Sequence, residues 1–475
     1  MPIEALYAEI RRGNSRFPWS SQVKSLRRIE RLKDNKPPKI ELLREEKGRA
    51  NERLSLTSRQ RLDAAINFRP VDRVCVDFGA GGQTGMGVCA VHRLRQAILG
   101  DKTWRVKVTE PYQMLGEIDE QLRKAIGLDV VGVHPRKDMF GISHDEWKSF
   151  TMPIDGTEVL VPKDFNYTAD TNGDLLMHPQ GDTSVGPSAK MPKNSFFWDS
   201  IRRQEPIDDE KLNYQDNCEE FGELSDADIA HFVREVNYYY NNTDYGIYMT
   251  FPGLAFGDIA LVPVPWAKNP KGIRDVEEWY ISTAMRRDYV YKIFEKQCEI
   301  GLKNIEKLAK AVGDKVQVVF VSGTDFGTQR GPFISPQAYR DLYKPFQKAI
   351  NDRIHKLTSW KIFIHSCGGI YPLIPDLIDA GFDVLNPVQC SAEGMDPRQL
   401  KNEFGNQLVF WGGGVDTQKT LPFGTPEEVY KEVRERIDIF AANSGYVFNS
   451  IHNIQSDVPT RNILAMFKAI DDVRK

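Results

Sequence analysis

Lys361-Ile362-Phe363-Ile364-His365-Ser366-Cys367-Gly368-Gly369 reads as a short buried strand that runs into a sharp turn. The apolar run is too short for a helix and ends at a glycine pair that lets the chain swing away. On extended backbone, residues i and i+2 point to the same side, so His365 and Cys367 can share one partner. An imidazole beside a thiol suits a borderline metal, zinc above all. The competing reading is a buried histidine and a small apolar thiol packed in a core.

Working outward, the same unit recurs. Apolar runs at Val74–Asp77, Val130–His134, Gly246–Thr250, Val316–Ser322, Lys361–His365, Phe382–Asn386, Leu408–Trp411 and Tyr446–Asn449 each lead into a Gly/Asp-rich turn and then a helical pattern. Near-continuous apolar strands separated by helices imply parallel pairing with both faces covered. Eight such units predict an α/β fold of the (β/α)8 TIM-barrel type, which places function at the C-terminal ends of its strands. A doubly wound open sheet is the alternative, but Gly79-Ala80-Gly81-Gly82 lacks the spacing of a dinucleotide-binding turn.

The barrel is expected over 56–475, opened by a helix capped at Thr57 or Ser58. Residues 1–55, rich in Lys, Arg and Glu around a Lys-Pro-Pro-Lys break, read as a helical N-terminal extension. An insertion at about 138–240, after strand two, carries the hairpin signal Asn172-Gly173 and reads as a β-rich excursion over the mouth. Phe196-Phe197-Trp198 either covers a ligand there or seals the insertion's own small core.

With 475 residues, 41% hydrophobic and 27% charged, the chain has the composition of a globular protein with a large core. A net charge of −3 gives no hint of a nucleic-acid or membrane-surface partner. No apolar run spans a bilayer and the charged N-terminus is no secretory signal, so a cytoplasmic location is expected. The six cysteines are scattered without a disulfide rhythm and are expected to be reduced, Cys75 and Cys298 in the core.

Chemistry-bearing residues gather at the predicted strand ends. They are Asp77, His134, Thr250, Asp325, His365 with Cys367, Asn386 with Gln389, Trp411, and Asn449 with His452. After strand four, Ser322–Pro332 is a glycine-rich polar loop holding Asp325 and Gln329, followed by a helix start at Ser335-Pro336. After strand seven, backbone N–H groups of the Gly412-Gly413-Gly414 run near Asp416 can line a polar substrate group. His452, after strand eight, is the expected third metal ligand; Cys390, after strand six, is its rival.

The segments DRVCVDFG (72–79), GTDFGTQRGPFISPQAYRDLYKPF (323–346), IHSCGG (364–369), GFDVLNPVQ (381–389), GMDP (394–397), WGGGVDTQ (411–418), LPFGTPEEV (421–429) and NIQSDVPTRNILAMF (453–467) together resemble the uroporphyrinogen decarboxylase superfamily. That superfamily includes corrinoid and coenzyme M methyltransferases, and the resemblance runs from about 56 to 475, interrupted by the insertion. True uroporphyrinogen decarboxylases use no metal and carry an Arg-Gln-Ala-Gly-Arg run near strand one, where this chain has Asp77-Phe78-Gly79-Ala80-Gly81-Gly82 without a basic residue. A polycarboxylate substrate would be left unpaired in such a site.

The methyltransferase branch binds zinc through the His-x-Cys that His365 and Cys367 match, with a cysteine as third ligand. Matching Pro459-x-x-Asn462 puts His452 at that position. From their places at the strand ends and loops, Asp325, Gln329 and Asp77 are expected to orient substrate or relay a proton, and His134, Trp411, Asp416, Asn386 and Gln389 to surround a small methylated substrate. The resemblance implies zinc on His365, Cys367 and His452. It further implies a corrinoid on a separate partner protein, and a homo-oligomer. A cofactor-free decarboxylase and a non-catalytic binding barrel are the alternatives.

Overall fold

The computed structural model describes residues 55–218 and 220–474. The expected N-terminal helices lie outside the described residues. Leu56–Lys475 forms one unit, built on eight parallel strands. These are β1 (Cys75–Val76), β2 (Val130–Val133), β3 (Gly246–Thr250), β4 (Val318–Ser322), β5 (Lys361–His365), β6 (Val384–Asn386), β7 (Val409–Trp411) and β8 (Tyr446–Phe448). They pair in the order β1-β8-β7-β6-β5-β4-β3-β2. The ring closes between β1 and β2 through Asp129, whose backbone N–H donates to the Val76 carbonyl at 2.9 Å. Its carboxylate accepts from the Val76 N–H at 3.0 Å. This closure makes the sheet a (β/α)8 barrel and excludes the doubly wound alternative.

Alternation along the strands sorts their side chains. Cys75, Val130, Tyr248, Val318, Phe320, Phe363, Val384, Val409, Trp411 and Val447 fill the barrel interior. Their sequence neighbours, such as Ile362 and Ile364, pack outward against the helices. The interior is therefore a packed floor, with the Tyr248 and Phe363 rings in contact with each other and each with those of Phe320 and Trp411.

The opening helix, Ser58–Ile66, begins with a capping box between Thr57 and Gln60. It delivers Arg61 to the foot of the barrel, where Arg61 and Arg73 both pair with the fully buried Asp129 at 2.7 Å. Ser335-Pro336 and Thr425-Pro426 start helices Pro336–Leu342 and Pro426–Phe440 as the cap pattern predicts.

Between β2 and β3 lies the β-rich insertion. It comprises the hairpin Trp147–Thr151 with Glu158–Pro162, then an antiparallel sheet of Tyr167–Ala169, Leu175–Met177, Ala189–Met191 and Asp199–Ser200. Asn172-Gly173 sits in the turn as expected. Trp198 seals the insertion's own core, its ring 6.1 Å from Phe140 and 5.9 Å from Phe165. Helix Asp226–Asn242 then returns the chain to β3. All six cysteines are free, with Cys75 and Cys298 buried as expected. No helix among the described residues is long and apolar enough to cross a membrane.

Candidate metal centre at the barrel mouth

Strand β5 sets the geometry. Because Phe363 points into the barrel, His365 two residues on does too, at the layer above the aromatic floor. The parallel register places His365 beside Asn386. Nδ1 of His365 meets Asn386 Oδ1 at 2.5 Å, while the Asn386 amide donates to the Trp411 carbonyl at 2.8 Å. The second bond fixes which end of the amide is oxygen, so Nδ1 of His365 carries the proton and Nε2 presents its lone pair. That nitrogen lies 3.2 Å from Cys367 Sγ.

His452, on the loop after β8, completes the group. Its ring lies 5.5 Å from that of His365, and one ligand atom from each of His365, Cys367 and His452 falls within 4.8 Å of the others. Neighbouring ligand atoms of a tetrahedral zinc stand about 3.5 Å apart, given bonds of ~2.0–2.3 Å. The donor set, its spacing and the fixed tautomer fit zinc. Burial, with His365 close by, pushes the His452 imidazole down to about 3, so it is neutral. Burial and Asp325 hold the Cys367 thiol well above its usual range, so a cation is needed to make it a thiolate.

The loops are locked around this trio. Ser366 donates its backbone N–H to the Asn386 carbonyl at 2.8 Å, and its hydroxyl accepts from the Phe326 N–H at 3.0 Å. Gly368 has φ +88, and a methyl group there would collide with the Gly327 backbone. Only glycine allows that close approach. The contact presses the loop after β4 onto the loop after β5, and Asp325 Oδ1 accepts the Cys367 N–H at 2.7 Å. The same oxygen is 3.9 Å from His365 Nε2. Gln389 Oε1 accepts from the Gly368 N–H at 2.7 Å.

Other residues expected at the site serve different ends. Asn386 and Gln389 hold the ligand-bearing strand and turn. Trp411 is fully buried in the floor, where its indole N–H donates to Asp77 Oδ2 at 3.1 Å. Asp77 is also buried, its other oxygen accepting from Ala80 N; burial raises its carboxyl to about 6. Asp416 caps the turn after β7 through Gln418 and Lys419 N–H groups at 2.7 and 3.1 Å. A strand-end position in the sequence does not separate such turn caps and floor residues from groups open to a ligand. Gln329 is exposed on the rim, its amide 3.5 Å from Gln418. His134 is exposed at the rim and faces Thr250 Oγ1 at 3.0 Å. Cys390 stands apart from the trio, its thiol donating to the Val388 carbonyl at 3.3 Å.

Two groups beside the centre had no signal in the sequence. Asp258 lies in the long loop after β3, 9% exposed, and burial together with Asp325 raises it to about 8. Tyr280, on helix Val276–Met285, donates its hydroxyl to the Asp325 carbonyl at 3.1 Å. Among the described residues no Lys or Arg pairs with Asp258 or Asp325. Only His365 lies within ion-pair distance of Asp325.

Residues 271–473 match the family model for uroporphyrinogen decarboxylase (URO-D). No curated protein matches the chain. A solved methyltransferase from Methanosarcina mazei is similar at 14% identity, covering 88% of this chain and 99% of its own, with a TM-score of 0.49. The matched residues hold β4 to β8, and with them Asp325, His365, Cys367 and His452. Over residues 271–473 the chain is similar to the uroporphyrinogen decarboxylase (URO-D) family.

Proposed function

We propose that the protein is a zinc-dependent methyltransferase that takes a methyl group from a small O-, N- or S-methyl compound and passes it to a reduced corrinoid on a partner protein. The observation that carries this reading is the convergence of His365, Cys367 and His452 within 4.8 Å, with His365 held in the ligating tautomer by Asn386. Zinc held there would supply a Lewis acid with an open coordination position, which activates a donor or acceptor heteroatom. A methyl group has no carbonyl to polarise, so help must come at the heteroatom.

The protein's own residues supply the rest. Asn386 orients His365, Gln389 and Gly368 fix the turn behind Cys367, and Asp325 holds the Cys367 backbone. Decarboxylation of a polycarboxylate is disfavoured by charge. Asp258 and Asp325 stand beside the centre without a Lys or Arg partner among the described residues, so further carboxylates would join a pair of acids that offers them no cationic partner.

Metal analysis of protein purified without chelators, with and without Cys367→Ala, tests the reading. Zinc near one per chain in the parent and lost in the variant is expected, along with methyl transfer to cob(I)alamin by the parent alone. Negligible zinc in both would overturn it.

A further inference from the structure

We propose that Asp258 is the proton donor to the heteroatom that loses its methyl group. This rests on the methyl-transfer reading and adds the acid that such a reaction needs. When the bond between methyl carbon and heteroatom breaks, the carbon bonds to the electron pair of the corrinoid acceptor. The heteroatom departs with the bonding pair. An alkoxide, amide or thiolate leaving in this way is a strong base, so a nearby proton lowers the barrier. Asp258 gives that proton, is left as a carboxylate, and regains a proton from water.

The geometry supports the assignment. The β3 loop is fastened to the end of β4. Ser322 and Thr324 hydroxyls donate to the Ala255 carbonyl at 3.1 and 2.7 Å. Gly323 leaves room for the Asp258 carboxyl, since a methyl group there would collide with Oδ2. Asp258 Oδ1 accepts from the Ala260 N–H at 2.9 Å. Oδ2 lies against Gly323 and makes no hydrogen bond among the described residues, so its second bonding position is unused. The ionisable groups facing it are Asp325 on the loop after β4, Tyr280 on helix Val276–Met285 and, through charge alone, Cys367. None of these side chains is a Lys or Arg; the positive charge nearest the carboxyl would be that of zinc on the trio, which lowers its value when bound. Asp325, bonded to the Cys367 N–H, lies between the ligand-bearing turn and this carboxyl in the chain of charge contacts. One acid beside another holds its proton.

Two measurements test the proposal. The first needs no substrate: infrared difference spectra between chelator-treated parent and chelator-treated Asp258→Asn isolate this carboxyl from Asp77 and Glu110, two other acids that burial raises. A protonated carboxyl at neutral pH, lost as pH rises through about 8, is expected; an ionised one at neutral pH overturns the proposal. The second follows methyl transfer to cob(I)alamin from a methoxy, a methylthio and an N-methyl compound. Asp258→Asn is expected to keep its zinc, lose ~10²–10⁴-fold in kcat, and lose the alkaline fall in rate that the parent shows. Equal rates and pH profiles overturn the role of Asp258 alone. No transfer by zinc-bound parent from any of the three overturns the methyl-transfer reading and the leaving-group role with it.

Discussion

Replacing Asn386 by alanine isolates the bond that orients His365. The side chain accepts from His365 Nδ1 and donates to the Trp411 carbonyl, and it is fully buried. Removing it strands two buried polar groups at about 1–3 kcal/mol each, so the metal-free protein is expected to lose about 2–6 kcal/mol. Zinc affinity is expected to fall about 10–100-fold, because the imidazole loses both its fixed tautomer and its orientation. That fall corresponds to about 1.4–2.7 kcal/mol. Asn386→Asp separates the two effects: it restores an acceptor for Nδ1 but cannot donate to Trp411. Its zinc affinity is therefore expected to match or exceed that of the parent while its stability stays low. Competition with a chromophoric chelator measures the affinity, and urea denaturation of chelator-treated protein measures the stability. Parental zinc affinity in Asn386→Ala would refute the orienting role.

Other perturbations probe the frame. Asp129→Ala leaves Arg61 and Arg73 without their buried partner and is expected to cost about 3–5 kcal/mol, read by urea denaturation, with zinc affinity unchanged per folded molecule. Gly368→Ala combines a left-handed backbone with a collision at Gly327. It should cost at least about 1–3 kcal/mol and weaken zinc binding, whereas the exposed Gly156→Ala, also at positive φ, should leave zinc untouched. Asp77 gives a pH test. Its folded value near 6 lies above the unfolded one, so the native state binds the extra proton and stability falls as pH rises from about 4 to about 6. The loss amounts to about 3 kcal/mol, and Asp77→Asn should remove that slope from denaturation curves taken across the window.

The eight strands were legible because barrel strands are covered on both faces and so write continuous apolar runs into the sequence. Their ends were less so. Val74 and Asp77 flank a ladder that holds only Cys75–Val76, since residues at a strand end leave the pairing before they leave the apolar pattern. His365 and Cys367 could be paired from i, i+2 spacing alone. His452 needed the closure of the ring to bring β8 near β5. Asn386 is different: its task follows from sheet register, which a single strand does not encode. Asp258 sits in an irregular loop with no periodicity, and only folding brings it against Gly323. Trp411 shows the opposite failure, a strand-end residue whose side chain turned down into the floor.

The insertion carries a consequence of its own. Arg203, just past its last strand, donates to the carbonyls of Val264 and Ala267 at 2.6 Å, and Lys268 pairs with Asp182 at 2.6 Å. These bonds grip the loop that holds Asp258, while the insertion reaches the loop after β8, which carries His452, only at second hand, through Arg93 between Asp155 and the Val458 carbonyl. The barrel therefore separates two kinds of heritable change. Substitutions in the insertion can retune the acid and the room around it without disturbing the ligand set. A lineage bearing this scaffold has a route to vary the surroundings of Asp258 while His365, Cys367 and His452 stay in place.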